Sequence, residues 1–357
     1  MILNKTLEHI SQVFGVSAMT VSNALNGRKG VSEKKAQAIR KYAVKVGYQT
    51  DYRASSLTRR RTRMIGMCLR TKPTFTWWAQ LVYEIQKQLH EADFRMTLGI
   101  APEGENQQNG FIDHFMALRC EAVIVGPLGM RHEYDVLAHR LSGVPYVIGF
   151  ESFSDLPIDV VSIDECKAMH QAVAYLHEHG HTRIGHFGIP VEVRDKPDLR
   201  TRFNGFAQGM ARLDLPVNQD WLISDDGQDE QILKALLQRF HQGEPMPTAW
   251  CTHNDLAAAR LIRILNENGI SVPQDVSIIG FDNHEIASLV HPQITTLALN
   301  AYEHARCIVE QVLENVERIQ RHVKRLDEPM TILPSIHIVE RKSVKSLKTG
   351  QVVEPAP

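Results

Sequence analysis

Residues 6–27 read T-L-E-H-I-S-Q-V-F-G-V-S-A-M-T-V-S-N-A-L-N-G, and the punctuation of this stretch marks two short helices. Thr6 is placed to cap a first helix over residues 6–13, Gly15 permits a tight turn, and Ser17 caps a second helix running to about Asn26. That second helix has only Val21, Ala24 and Leu25 to bury. A segment so short does not hold itself together in water, so Ala18, Met19, Ser22 and Asn23 are left to face a partner. Ser32, followed by Glu33 and Lys34, opens a third helix that ends at Gly47. Two helices joined through F-G-V-S have the layout of a helix-turn-helix, in which the second helix enters the major groove of DNA.

Charge agrees with that reading. Residues 1–63 carry thirteen Lys and Arg side chains against Glu8, Glu33 and Asp51, a balance of +10, which leaves −11 on the rest of a chain whose net charge is −1. A basic head on an acidic body points to a polyanion as partner of the head alone. Apolar residues from Ile10 to Val46 recur at helical spacings, so the head is a small folded domain rather than a charged tail. At 357 residues and 43% hydrophobic, the chain has room for two or three domains. No apolar run could span a bilayer, and Lys5, Glu8 and His9 interrupt any secretory signal. Five scattered cysteines without a C-x-x-C point to a reduced, cytoplasmic protein.

Beyond the head the pattern is α/β. Strand-like runs such as M-I-G-M-C-L, A-V-I-V-G, P-Y-V-I-G-F and S-I-I-G-F-D alternate with amphipathic stretches at 79–91, 167–179 and 256–268. Alternation of this kind implies right-handed βαβ units and parallel sheets.

Specific motifs narrow the family. The stretch at 6–27, then V-S-E-K and K-V-G-Y, resembles the headpiece of the lac repressor family of bacterial transcription regulators. The resemblance continues in order through I-G at 65–66, G-H-T-R-I-G-H-F-G at 180–188, R-F-N-G-F at 202–206, H-N-D-L-A at 253–257, V-P-Q-D-V-S-I-I-G-F-D at 272–282 and P-Q-I-T-T-L at 292–297. It implies a small all-α headpiece over residues 1–49, a hinge over 50–62 and a two-lobed, periplasmic-binding-protein-like effector and dimerisation domain over 63–341. The N-lobe is then expected at about 63–161 and 292–322, and the C-lobe at about 162–291 and 323–341. Three crossings are expected near 160–163, 289–293 and 322–330, and residues 342–357, which lack periodicity, as a disordered tail.

The resemblance also assigns roles. DNA would be met by Thr6, Ser17, Ala18, Met19 and Thr20, and by Ser22, Asn23 and Asn26, with Arg53, Ala54 and Leu57 in the hinge. On composition alone, residues 51–63 read equally as a charged linker; by resemblance Leu57 wedges into a minor-groove step. Two departures stand out, Thr50-Asp51 in place of Pro-Asn, and Asn23 where the family has Arg. Arg reads guanine and Asn favours adenine, so one position of each half-site should differ, unless Asn23 bonds only phosphate. Palindromic double-stranded operator DNA implies a homodimer or a tetramer.

In the cleft at the strands' carboxyl ends the resemblance implies effector contacts from Arg202, Asn254 and Asp282, with Trp77 or Trp78 covering an apolar face. A carboxylate, an amide and a guanidinium bind vicinal hydroxyls, which suits a sugar or sugar acid. Taken singly, Asp282 reads as a strand-end cap and Trp78 as core. Gly227, in S-D-D-G-Q, stands where the family places a second aromatic, which disfavours a purine. His177, His179, His181 and His186 raise the question of a metal, but Gly180 stops a helix between them and separates the set. No nucleotide loop or nucleophile elbow is present, so neither a cofactor nor an enzyme is expected. The other reading is a cytoplasmic sensor or solute-binding protein that uses the cleft alone, or a regulator with a nucleobase effector.

Overall fold

The computed structural model describes residues 6–348 except 26, 28, 49–60, 70–75, 103–106, 127–130, 150–158, 191–200, 226–230, 232, 235–236, 239–241, 322–330 and 333. The chain divides into two compact units, residues 1–62 and 63–357.

The first unit holds α1 (Leu7–Phe14), α2 (Ala18–Leu25) and α3 (Glu33–Lys45). Each start has a local cause. The Thr6 hydroxyl accepts the His9 N–H at 3.3 Å, and the Ser17 hydroxyl accepts the Thr20 N–H at 3.1 Å. Between them Gly15 adopts φ 58°, the left-handed conformation that ends α1 and lets the chain turn. The core is small: Ile10 from α1, Val21 and Ala24 from α2, and Ala36, Ile39 and Ala43 from α3.

In the second unit, β1 (Met64–Leu69), α4 (Thr76–Glu91), β2 (Arg95–Ile100), α5 (Asn109–Ala117), β3 (Ala122–Val125), α6 (Arg131–Arg140), β4 (Tyr146–Gly149) and β5 (Val160–Val161) form the N-lobe. There follow α7 (Glu165–Glu178), β6 (Ile184–Pro190), α8 (Thr201–Arg212), β7 (Leu222–Asp225), β8 (Ala249–Thr252), α9 (Asp255–Glu267), β9 (Ser277–Asp282), α10 (Ile286–Leu289) and β10 (Thr295–Leu299). The long α11 (Ala301–Gln320), β11 (Thr331–Ile332) and β12 (Ile336–Val339) complete the described elements. The N-lobe sheet runs β11-β5-β4-β3-β1-β2 and the C-lobe sheet β12-β10-β9-β8-β6-β7. Pairing is parallel apart from β12 against β10. Every side chain of β3, A-V-I-V, is buried, as expected of a strand with helices over both faces.

The lobe boundaries differ from expectation at two of three crossings. The chain passes between sheets after Val161, after Leu299 and after Ile332. Residues 295–299 were expected in the N-lobe but pair with β9, because Thr295 and Thr296 continue the C-lobe sheet in parallel register with Ile279 and Gly280. The N-lobe is regained only with α11, whose Ala305, Ile308, Val312 and Val316 pack in one core with β1, β3 and β4. The expected disordered tail is corrected over residues 342–348. Ser343 is fully buried. Its hydroxyl accepts the Thr295 N–H at 2.8 Å and donates to the Ile278 carbonyl at 2.6 Å. The Leu347 N–H reaches the His179 carbonyl at 2.7 Å, so this segment is tied down by polar bonds that leave no hydrophobic period.

Candidate functional site

In the first unit α2 turns Val21 and Ala24 into the core and leaves Met19 65% exposed. Ala18, Thr20, Ser22 and Asn23 are half-buried around it, a short face of apolar and hydrogen-bonding groups on a helix of groove-fitting size. Ser17 and Thr20 join their hydroxyls at 2.9 Å, which fixes the first turn of α2. Thr6 likewise serves the start of α1. Asn26, and Arg53, Ala54 and Leu57 of the hinge with Thr50 and Asp51, lie outside the described residues.

In the second unit the carboxyl ends of β8 and β9 meet the first turn of α8. Arg202, in the first turn of α8, donates from Nε to Glu165 Oε1 at 2.8 Å and from Nη1 to the His253 carbonyl at 2.7 Å. Its Nη2 lies 3.4 Å from Asp282 Oδ1, and its guanidinium stacks 3.9 Å above the Phe281 ring. Asp282 ends β9 with φ 99°, a left-handed backbone that an aspartate adopts at a cost of about 1–3 kcal/mol. Burial raises the Asp282 carboxyl above its ordinary pKa, and Arg202 opposes that rise. Burial also works against the charge of Arg202, but Glu165 and Asp282 overcome it and hold the guanidinium protonated.

Asn254 has a structural duty. Its side-chain oxygen accepts the Ala257 N–H at 2.8 Å and caps α9, leaving the amide nitrogen to offer a ligand. Beneath it Asp255 is fully buried, with Oδ1 accepting the Thr296 hydroxyl at 2.6 Å and Oδ2 the His284 N–H at 2.7 Å. Burial pushes this carboxyl up to about 7, the Thr296 bond restrains it, and the Asp282 charge adds to the rise. Loss of water around the rings, with Arg202 beside them, holds His253 well below its ordinary range and His186 down at about 3. His186 sits edge-on to Phe203 and Phe206 at 5.8 and 5.3 Å.

Thus Arg202, Asn254 and Asp282 are brought together, and Glu165 and His253 join them. His253 opens the H-N-D-L-A motif but was given no role in the site, and Glu165 lies in no motif; its one signal was its place directly after the helix cap Asp164, just past the first lobe crossing. Trp77 and Trp78 belong to the N-lobe. Trp77 is 8% exposed and packs in the core, edge-on to Trp78 at 5.2 Å and to His304 at 5.8 Å, whereas Trp78 keeps part of its surface open. The S-D-D-G-Q stretch from residue 226 onward lies outside the described residues. The histidines of the 177–186 stretch do not converge: the two ring nitrogens of His181 meet the Thr248 hydroxyl and the Lys345 carbonyl, each at 3.1 Å, while His179 Nδ1 meets the Tyr175 carbonyl at 2.8 Å. Among the described residues no three His, Cys, Asp or Glu side chains group as a metal site, and no helix is long and apolar enough to cross a membrane.

A family profile for a periplasmic binding protein-like domain matches residues 173–344. The HTH-type transcriptional repressor PurR of Vibrio parahaemolyticus serotype O3:K6 is 28% identical over 347 residues, covering 96% of this chain and 99% of that protein. Among solved structures, the lac repressor dimer bound to operator and the anti-inducer ONPF superposes with a TM-score of 0.79 at 19% identity, covering 95% of this chain and 99% of the other. The transcriptional regulator CelR–cellobiose complex superposes at 0.65 with 22% identity, again over 95% and 99%.

Proposed function

Because the chain belongs to the lac repressor family of transcription regulators, we propose that it binds palindromic operator DNA as a homodimer and is switched by a small carbohydrate-like effector held in the cleft. The observation that carries this is the pairing of an exposed, half-polar α2 in a head of charge +10 with a second unit whose strand ends gather Arg202, Asn254 and Asp282. Phosphates attract the head without regard to sequence, and Ala18, Met19, Ser22 and Asn23 supply the groups that read base edges. Arg53 and Ala54 join the DNA contacts of the hinge, where Leu57 wedges into a minor-groove step. A dimer places two heads on two half-sites, and the edge strand β2, with Leu98 and Ile100 40% and 42% exposed, offers apolar surface for self-association.

In the cleft the acceptors of Asp282 and the donors of Arg202 and Asn254 suit adjacent hydroxyls, while Trp78, the less buried of the pair, covers an apolar sugar face. The protein acts in the cytoplasm by binding rather than by catalysis. A ligand that binds only the folded state raises the melting temperature, so a thermal-shift screen of sugars, sugar acids and nucleobases against the full chain tests the effector class. A sugar hit should be weakened by roughly 1.5–3 kcal/mol in Asp282→Asn, the range for a hydrogen bond to a charged group. A nucleobase hit with no sugar hit would reverse the assignment of effector class.

A further inference from the structure

The Arg202 guanidinium is already claimed by the protein. Of its five N–H donors, Nε is spent on Glu165, one on Nη1 goes to the His253 carbonyl, and Nη2 leans toward Asp282. Both oxygens of Glu165 are engaged, since its second accepts the Thr201 hydroxyl, and each keeps a lone pair for a further donor. One cation therefore faces two carboxylates, all three side chains being 15–24% exposed and so within reach of a ligand. Among the described residues, His186 and His253 beside it are held neutral. Asp255 adds negative charge when it ionises, which Arg341 offsets in part, and His284 favours the charged form of Asp282 more weakly than Arg202 does.

We propose that this two-carboxylate clamp makes the C-lobe half of the effector site select uncharged or amino-bearing polyhydroxy ligands over sugar acids, and that Glu165 is the residue that sets the preference. The inference rests on the effector-site reading given above and narrows it. A sugar carboxylate entering here would seek a free guanidinium and find one already neutralised, with a surplus negative charge beside it; like charges at an interface disfavour the wrong partner. A hydroxyl has no such conflict. It donates to the carboxylate oxygens and accepts from the two N–H groups that Arg202 has left, and an ammonium group is attracted by the same surplus.

The test uses the full-length chain and matched neutral, uronic-acid and amino forms of glucose, galactose and mannose and of their disaccharides, with binding measured by calorimetry. The best neutral or amino ligand should bind at least about tenfold more tightly than its matched acid, a difference of about 1.4 kcal/mol. Glu165→Gln keeps the size and the acceptor for Arg202 Nε but removes the charge, and should shrink that gap to about threefold or less. An acid bound by the wild type as tightly as its neutral partner overturns the selectivity and leaves the effector site standing. A gap that Glu165→Gln leaves unchanged overturns the role of Glu165. Binding of no member by either protein overturns the carbohydrate reading beneath both. The wild-type comparison decides the selectivity even if the variant does not fold.

Discussion

Asp255 offers the sharpest physical test of the site's floor. A carboxyl raised from 3.8 to about 7 in the folded chain is neutral there at pH 5, where the unfolded chain has it ionised. The folded state then binds the extra proton, so the stability this group contributes is fully present below the unfolded pKa and is lost as pH rises through about 7. Between pH 5 and 8 the loss comes to about 3 kcal/mol, at about 1.4 kcal/mol per unit over some two units of pH. Buried neutral His186 and His304, both pushed down to about 3, work the other way, losing stability as pH falls below 6.5. Asp255→Asn isolates the carboxyl from that background. The variant also gives up one of the bonds from Thr296 or His284, which shifts its stability by a constant amount. The readout is therefore how the melting-temperature difference between parent and variant changes with pH. Measured by calorimetry, the parent's advantage should shrink by about 6–12 °C from pH 5 to pH 8, at about 2–4 °C per kcal/mol. A difference that stays constant across that range would refute the burial argument for Asp255.

Three further expectations concern single side chains. A Cβ at Gly280 would lie 2.0 Å from Asp255 Oδ1, so Gly280→Ala must displace a buried, hydrogen-bonded carboxylate and should cost more than about 3 kcal/mol, measured as a lower melting temperature. Ile39 is fully buried in the head's small core, and Ile39→Ala should cost about 2–5 kcal/mol, enough to abolish operator binding while calorimetric effector binding persists. Asn23→Arg should move half-site preference from adenine toward guanine at one position by about 1–3 kcal/mol, and an unchanged consensus in a selection from random DNA would mean Asn23 reads no base.

How legible this was from sequence depended on where the causes lie. Thr6, Gly15 and Ser17 act on their own neighbours, so the turns of the head could be read directly. Arg202 and Asp282 meet because motif order carries the fold with it. Glu165 was missed because its bond to Arg202 spans 37 residues and no local pattern marks it. The second crossing was misplaced for a related reason. A five-residue strand such as Thr295–Leu299 looks the same whichever sheet receives it, and only the pairing with β9 decides. Residues 342–348 lack periodicity because Ser343, Lys345 and Leu347 are held through polar and backbone groups rather than an apolar face.

The central claim, a head that reads DNA attached to a body that does not, meets its most direct test in selection of DNA from a random pool by the full chain, followed by titration of the selected site against salt. The account predicts a two-fold symmetric consensus, an affinity that falls steeply as salt rises, and no binding once residues 1–62 are removed. Enrichment of no sequence, or equal binding by the truncated chain, would contradict it.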